Sequence, residues 1–309
     1  MPFEVTILGA SSATPTSDRN HSAQLVNLLG RFFLLDCGEG TQKQLRKCSI
    51  KMQKINFICI SHLHGDHYLG LMGLLSTMSL LNRKKDLIIY GPKGLDKIID
   101  LHLQSSYSKL TFSVEFIVLS STKEMKLYED DACSLFSFGL KHRIPCWGFK
   151  LVEKKRKRHM IASMIDKYNI PFSKIESIQL GHDYIYKNSV VIGNHMLTKA
   201  SYEPRSYAYC SDTKFFKNLS KNIAGVDLLY HESTFHSDLA QRARSTFHST
   251  SKDAAMIALM GGVKKLILGH FSSRYKDLTI LKEDAETIFK NVDIAEEGRK
   301  WVIKKIYLK

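Results

Sequence analysis

The sequence predicts an α/β fold of sheets layered under helices. Short apolar runs rich in β-branched residues alternate with longer amphipathic runs through most of the chain, the pattern expected of packed α/β layers. The 309 residues, 44% of them hydrophobic, suffice for a sizeable core. No apolar run reaches the length of a membrane span.

The first half reads as follows. FEVTILG, AQLVNLL and RFFLLD are strands by composition. GTQKQLRKC is a short helix opened near Gly40. INFICI is a strand and YLGLMGLLSTMSLL a buried helix. LIIYGP is a strand stopped by Gly91 and Pro92, and GLDKIIDLHLQ is a helix. SVEFIVLS, KEMKLYE and CSLFSFGLKH follow as consecutive strands. In the second half YAYCSD, DLLYHEST and KLILGH are strands, while SKDAAMIALMGG and LKEDAETIFKNV are helices. No repeat of fixed period and no low-complexity linker is present.

One segment breaks this rhythm. After GFKLVE the chain runs through five consecutive basic residues, Lys154, Lys155, Arg156, Lys157 and Arg158. A short helix is expected at about 159–168, then turn-rich sequence too thin in apolar residues for a core element. The segment reads as an insertion. Taken alone, the basic run is a solvated charge run.

Six cysteines are scattered without a CxxC pair, so neither a disulfide framework nor a zinc ribbon is expected. No signal peptide is visible before GASSATPTSDRN. The expectation is a soluble cytoplasmic protein. A formal net charge of +15 points towards a polyanionic partner, with nucleic acid first.

SHLHGDHYLG, at 61–70, concentrates His62, His64, Asp66 and His67 directly after a strand. Imidazole and carboxylate are ligands for zinc and similar ions. His62 and His64, two apart on an extended segment, point the same way. Gly65 turns the chain, so that Asp66 and His67 open the next helix. Four ligands from six consecutive residues suit two adjacent metals better than one tetrahedral ion. Three further candidates, His142, Asp212 and His270, fall at the C-terminal ends of expected strands, where layered folds gather chemistry. Asp212 has two oxygens with which to bridge. His21, His102, His159, His182, His195 and His236 lack ligand-type neighbours and read as surface or structural residues.

HLHGDH with His142, Asp212 and His270 resembles the metallo-β-lactamase superfamily. Together with DCGEGTQ at 36–42, SDT at 211–213, HESTF at 231–235, FHST at 247–250 and GHFSSRY at 269–275, the pattern resembles its ribonuclease Z family, in the short form. The resemblance runs from TILGASSATPTSDRN to about Tyr275. It implies a four-layer αββα sandwich of the metallo-β-lactamase type, one domain over 1–309, with a protruding tRNA-binding arm at 151–203 that includes the basic run. It implies two zinc ions per chain, with manganese as the alternative: His62, His64 and His142 on one, Asp66, His67 and His270 on the other, Asp212 bridging. Asp66 matches the family's proton acceptor for the attacking water. His248 and Glu232 match the positions that protonate the leaving oxygen. Asp36 would orient a ligand histidine; on its own it reads equally as a turn residue before Gly38.

The activity so implied is endonucleolytic removal of the 3′ trailer from precursor tRNA by a homodimer whose arm grips the tRNA in trans. Neither DNA nor membrane is an expected partner. The chain departs from many relatives in one place: after Ile170-Pro171 it runs on as FSKIES, without a Gly-Pro motif. Two rival readings stand beside this one. The first is a phosphodiesterase for small esters, which would not need a remote basic clamp. The second is a non-catalytic RNA-binding protein, which would not need seven ligands.

Overall fold

The computed structural model describes residues 2–187 and 190–307. Met1, at the head of the first expected strand, and Asn188 and Ser189, within the expected arm, lie outside the described residues. The chain forms two compact units. One comprises the residues up to Val152 together with Ser206–Ile303; the other comprises Glu153–Arg205 with the residues from Lys304 on.

The larger unit holds two seven-stranded sheets. In the first the order is Lys300–Val302, Phe3–Gly9, Ala23–Leu28, Arg31–Leu35, Ile55–Cys59, Leu87–Pro92, Val114–Leu119. Its last four strands run parallel. In the second the order is Val292–Ile294, Leu266–Gly269, Leu228–Glu232, Ser206–Cys210, Trp147–Glu153, Cys133–Gly139, Met125–Glu129. Here too the first four strands are parallel.

The side-chain period of two explains the layering. Phe33, Leu35, Phe57 and Cys59 face a core shared with Phe149, Leu151, Tyr207 and Tyr209 of the other sheet. The intervening Leu34 and Ile58 face a separate core with Leu71, Leu74 and Met78 of the helix Gly70–Leu80 and Leu95 and Ile99 of the helix Leu95–Ser105. On the far side, the helix Ser251–Gly261 adds Ala254, Ala255, Ile257 and Ala258 to the core of the second sheet. Two facing sheets with helices outside make the αββα sandwich. Its central strands bury both faces, which is why they read as continuous apolar runs.

The smaller unit departs from expectation. Instead of one helix and irregular chain, it contains helices Ala162–Lys167, Phe172–Gln179 and Asn194–Leu197 and the strand pairs His159–Met160 with Thr198–Lys199 and Tyr184–Tyr186 with Val190–Ile192. Ile170, Ile178, Ile192 and Leu197 form a core of their own. Its members are far apart in sequence, so no local window shows the apolar density.

The same unit holds a buried ion pair. Arg205 Nε donates to Glu153 Oε2 at 2.8 Å, and the Tyr202 hydroxyl donates to Oε1 at 2.6 Å. All six cysteines are free thiols. Among the described residues, no helix is long and apolar enough to cross a membrane.

Candidate metal centre

Strands of both sheets end at one place, and the candidate residues follow those ends. Asp36 follows Arg31–Leu35, and His62 and His64 follow Ile55–Cys59. His142 follows Cys133–Gly139, Asp212 follows Ser206–Cys210, and His270 follows Leu266–Gly269. Glu232 is the last residue of Leu228–Glu232. His64 precedes a single helical turn, Gly65–Tyr68, which carries Asp66 and His67. Two of these residues adopt left-handed backbone conformations that favour glycine, Asp36 at φ 56° and His270 at φ 57°. Strain of this kind gathers at functional sites.

Two donor sets share Asp212. The ligand atoms of His62, His64, His142 and Asp212 all lie within 4.8 Å of one another, as do those of Asp66, His67 and His270. Asp212 Oδ2 is 3.6 Å from His62 Nε2 and 3.7 Å from His142 Nε2. Its Oδ1 is 3.1 Å from His270 Nε2 and 3.4 Å from His67 Nε2. Asp66 Oδ2 lies 3.3 Å from His67 Nε2 and 3.5 Å from His270 Nε2, and accepts the Ala13 amide at 2.8 Å.

Four of the five rings are pinned by Nδ1–H, leaving Nε2 inward. His67 donates to Asp36 Oδ2 at 2.7 Å. His62 donates to Ser61 Oγ at 3.0 Å, whose own proton goes to Asp36 at 2.8 Å. His270 donates to Thr234 Oγ1 at 2.9 Å, and Thr234 donates onward to Glu232 at 2.6 Å. His142 donates to the Phe247 carbonyl at 3.1 Å. His64 is reversed: its Nδ1 lies 3.0 Å from His62 Nε2 and 3.1 Å from His142 Nε2. Anchoring one ring nitrogen outward fixes the tautomer and leaves the other as a ligand.

The inward nitrogens fit a divalent cation. His67 Nε2 and His270 Nε2 are buried without a hydrogen-bond partner, which is costly for a polar atom unless something else binds it. His64 Nδ1, with two further imidazole nitrogens at 3.0 and 3.1 Å, likewise repels them unless a cation or proton lies between. Burial holds His62, His64 and His142 below the ordinary histidine range, in the neutral form that binds metals. Burial opposes the charge of His67, but Asp66, Asp212 and Asp36 outweigh it and raise its pKa. Burial also opposes ionisation of Asp66 and Asp212, yet the surrounding histidines hold both well below the usual carboxylate range.

His248 stands beside this cluster. Its ligand atom also falls within 4.8 Å of those of Asp212 and His270, but its Nδ1–H is engaged by Glu232 Oε1 at 2.9 Å. Burial would lower the pKa of His248; the Glu232 carboxylate reverses that and lifts it to about 9. Glu232 is fully buried and also accepts the Thr213 amide at 2.7 Å.

The sequence reading did not anticipate several participants. Tyr209 donates to Asp36 at 2.7 Å, completing a buried network around that carboxylate. His21, expected as a surface or structural residue, is buried and lines the same cavity of about 550 Å³, as do Arg143, Phe247 and His248. Its loop is drawn in where Ser11 bridges both His21 and Phe271, a contact between distant segments that local sequence does not show. The basic run lies in the smaller unit. There Arg156 Nε is 3.7 Å from Glu153, Lys157 pairs with Glu176, and Arg158 Nε donates to Thr198 Oγ1 at 2.6 Å.

A family model described as anti-Pycsar protein Apyc1 matches residues 3–139. A ribonuclease Z of Bacteroides fragilis is 45% identical over 296 residues, covering 96% of this chain and 97% of that protein. Among solved structures, the short form of human tRNase Z superposes with a TM-score of 0.71 at 29% identity, covering 97% of this chain and 99% of that one. A metallo-β-lactamase fold protein from Bacillus subtilis matches with a TM-score of 0.68 at 18% identity, covering 98% of this chain and 100% of its own, which speaks to the fold alone. Similarity to ribonuclease Z at this level, along almost the whole of both chains, means that this chain belongs to the ribonuclease Z family.

Proposed function

We propose that this protein is the endoribonuclease that removes the 3′ trailer of precursor tRNA and leaves a 3′-hydroxyl on the tRNA. The carrying observation is the pair of donor sets with Asp212 between them, one oxygen towards His62 and His142 and the other towards His67 and His270, and the His248–Glu232 pair beside them. His62, His64 and His142 would hold one divalent ion and Asp66, His67 and His270 the other, with Asp212 available to both. Two zinc ions suit so many imidazoles, with manganese as the alternative. When bound, such a pair would supply an activated water and neutralise charge on the attacked phosphate.

The chain's own groups manage the protons. Asp66, fixed by the Ala13 amide, accepts the proton of the attacking water. As the oxygen–phosphorus bond forms, the bond to the ribose 3′ oxygen breaks. His248, held by Glu232, gives that oxygen its proton. The products are a tRNA ending in a 3′-hydroxyl and a trailer beginning with a 5′-phosphate. Asp36 keeps His67 in its ligand tautomer through the 2.7 Å contact.

The arm at 151–203, with Lys154, Lys155, Arg156, Lys157 and Arg158, grips the tRNA away from the cut. It does so in trans within a homodimer, and the setting is the cytoplasm. Support comes from the net charge of +15 and from a cavity of about 430 Å³ in the smaller unit lined by Lys155, Arg156, Lys157 and Arg158.

The test is to map the cut on a 5′-labelled precursor tRNA, with and without chelator, beside bis-p-nitrophenyl phosphate. One chelator-sensitive cut after the acceptor stem is expected. Hydrolysis of the small ester with the precursor left intact would overturn the assignment.

A further inference from the structure

We propose that Phe247, flanked by Arg143 and Lys214, forms a subsite for the nucleotide that ends in the leaving 3′ oxygen, its base stacked on the Phe247 ring and a neighbouring phosphate held by the two cations. This deepens the function proposed above and rests on it.

Phe247 lines the cavity of the metal centre next to His248. Its backbone is left-handed, at φ 60°, a conformation that disfavours a bulky side chain and suits glycine. Two hydrogen bonds hold it there. The Phe247 amide donates to Arg244 O at 3.3 Å, and its carbonyl accepts from His142 at 3.1 Å. The ring is thus presented to the cavity at a conformational cost that a glycine would avoid. Lys214 Nζ lies 4.7 Å from the ring centroid, and among the described residues no aromatic side chain stacks on Phe247. Every base has a π-face, so stacking on such a ring is tolerant of sequence, as processing of many tRNAs requires.

Arg143 shows what else belongs here. Its terminal nitrogen is 3.5 Å from His64 Nε2, on the side of that ring away from His62 and His142. With Nδ1 of His64 turned to the cluster as a ligand, Nε2 carries the proton. Two donors then face each other across 3.5 Å, and an acceptor that takes a hydrogen bond from both relieves the clash. A phosphate oxygen is such an acceptor, and guanidinium suits it.

Several cations of the chain sit on carboxylates, whereas Arg143 in the cavity lining and Lys214 over the Phe247 ring do not. Arg31, Lys150, Lys264 and Lys265 each pair with a carboxylate at 2.6–2.8 Å. Among the described residues, Arg143 and Lys214 have no carboxylate within ion-pair distance, and their neighbours are an imidazole and a phenyl ring. Unneutralised cations beside a metal centre are stabilised when an anion enters. The leaving oxygen is protonated by His248, so the nucleoside that bears it is the one closest to the adjacent Phe247.

The test is single-turnover cleavage of two precursor tRNAs, one intact and one abasic at the nucleotide 5′ to the cut. The wild-type protein should cut the abasic precursor about tenfold more slowly, within the usual range for one stacked base. Phe247→Gly removes the ring and suits the backbone, so the chain stays folded. It should cut the intact precursor about tenfold more slowly, with no further loss on the abasic one. Phe247→Tyr should restore both the rate and the difference. Arg143→Ala should flatten the log–log salt dependence of precursor binding by about 0.7.

Equal wild-type rates on the two precursors, or a loss in Phe247→Gly that adds to the abasic loss, would overturn the subsite while leaving the proposed function intact. Failure of the wild-type protein to cut even the intact precursor would overturn both.

Discussion

The donor cluster and the basic run at 154–158 place polar groups in opposite ways. In the cluster, His62 and His67 have no exposed surface, and Asp212 and His270 are 2% exposed. Four of its five rings are tied by one nitrogen to a named acceptor. In the basic run, Lys155 and Lys157 are exposed and the others half-buried, and what holds them is a scatter of local contacts. Bond-making chemistry depends on position, which needs burial and pinned tautomers. A grip on a polyanion depends on summed charge, which tolerates exposure and motion. Single substitutions should therefore cost orders of magnitude in the cluster and small factors in the run.

The largest effect should come from Asp212→Ala. Each of its oxygens faces a different donor set, so its removal takes a ligand from both at once. Precursor cleavage should fall by far more than the roughly 10–100-fold typical of losing an outer partner. Elemental analysis should show metal content dropping from about two ions per chain. A variant that keeps both ions and cleaves would break the comparison.

Next comes the proton donor. His248→Ala should keep its metals and lose roughly 10²–10⁴-fold in the cleavage step. Glu232→Gln, which leaves the imidazole in place, should lose less. Loss of an ion in His248→Ala would make His248 a ligand, as its position near Asp212 and His270 allows, and the role given to it would fail.

Legibility in the sequence follows the same division. His62, His64, Asp66 and His67 could be read because they are contiguous. His142, Asp212 and His270 could be read because apolar runs end just before them. The role of Asp36 could not be decided locally, since a turn residue before a glycine looks the same; its contacts to Ser61 and His67, after the strand Ile55–Cys59, and to Tyr209, in Ser206–Cys210, come from segments distant in sequence. His21, Arg143 and Phe247 were missed because loops that meet only in space line the cavity. The core of the smaller unit was missed for the same reason, its Ile170, Ile178, Ile192 and Leu197 being too dispersed to mark an element.

A smaller loss is expected from Asp36→Asn. The amide is nearly the same shape but cannot accept from His67, Ser61 and Tyr209 as a carboxylate does. His67 would lose the acceptor that fixes its tautomer, while its inward nitrogen stays. Metal affinity should fall about 10–100-fold, measured by competition with a chelator of known strength, and excess metal should restore much of the cleavage. If excess metal restores nothing, Asp36 acts on the chemistry itself and not through His67.

The smallest effect is the most discriminating test of the comparison. Lys155 is exposed, and its one argued role is charge. Lys155→Ala should weaken precursor binding by a small factor at moderate salt. It should also reduce the slope of log affinity against log salt by about 0.9, the share of one phosphate on duplex RNA treated as for duplex DNA. Arg156 is the control, because its guanidinium lies 3.7 Å from Glu153, which also binds Arg205 and Tyr202. Arg156→Ala should change the salt slope and also loosen the smaller unit, read as faster amide exchange across 154–204. Should Lys155→Ala loosen the unit as well, the run is part of the fold rather than a charged surface. Should neither variant change the slope, the phosphates are held elsewhere, and Arg143 at the metal centre and Lys214 beside Phe247 become the cations to test.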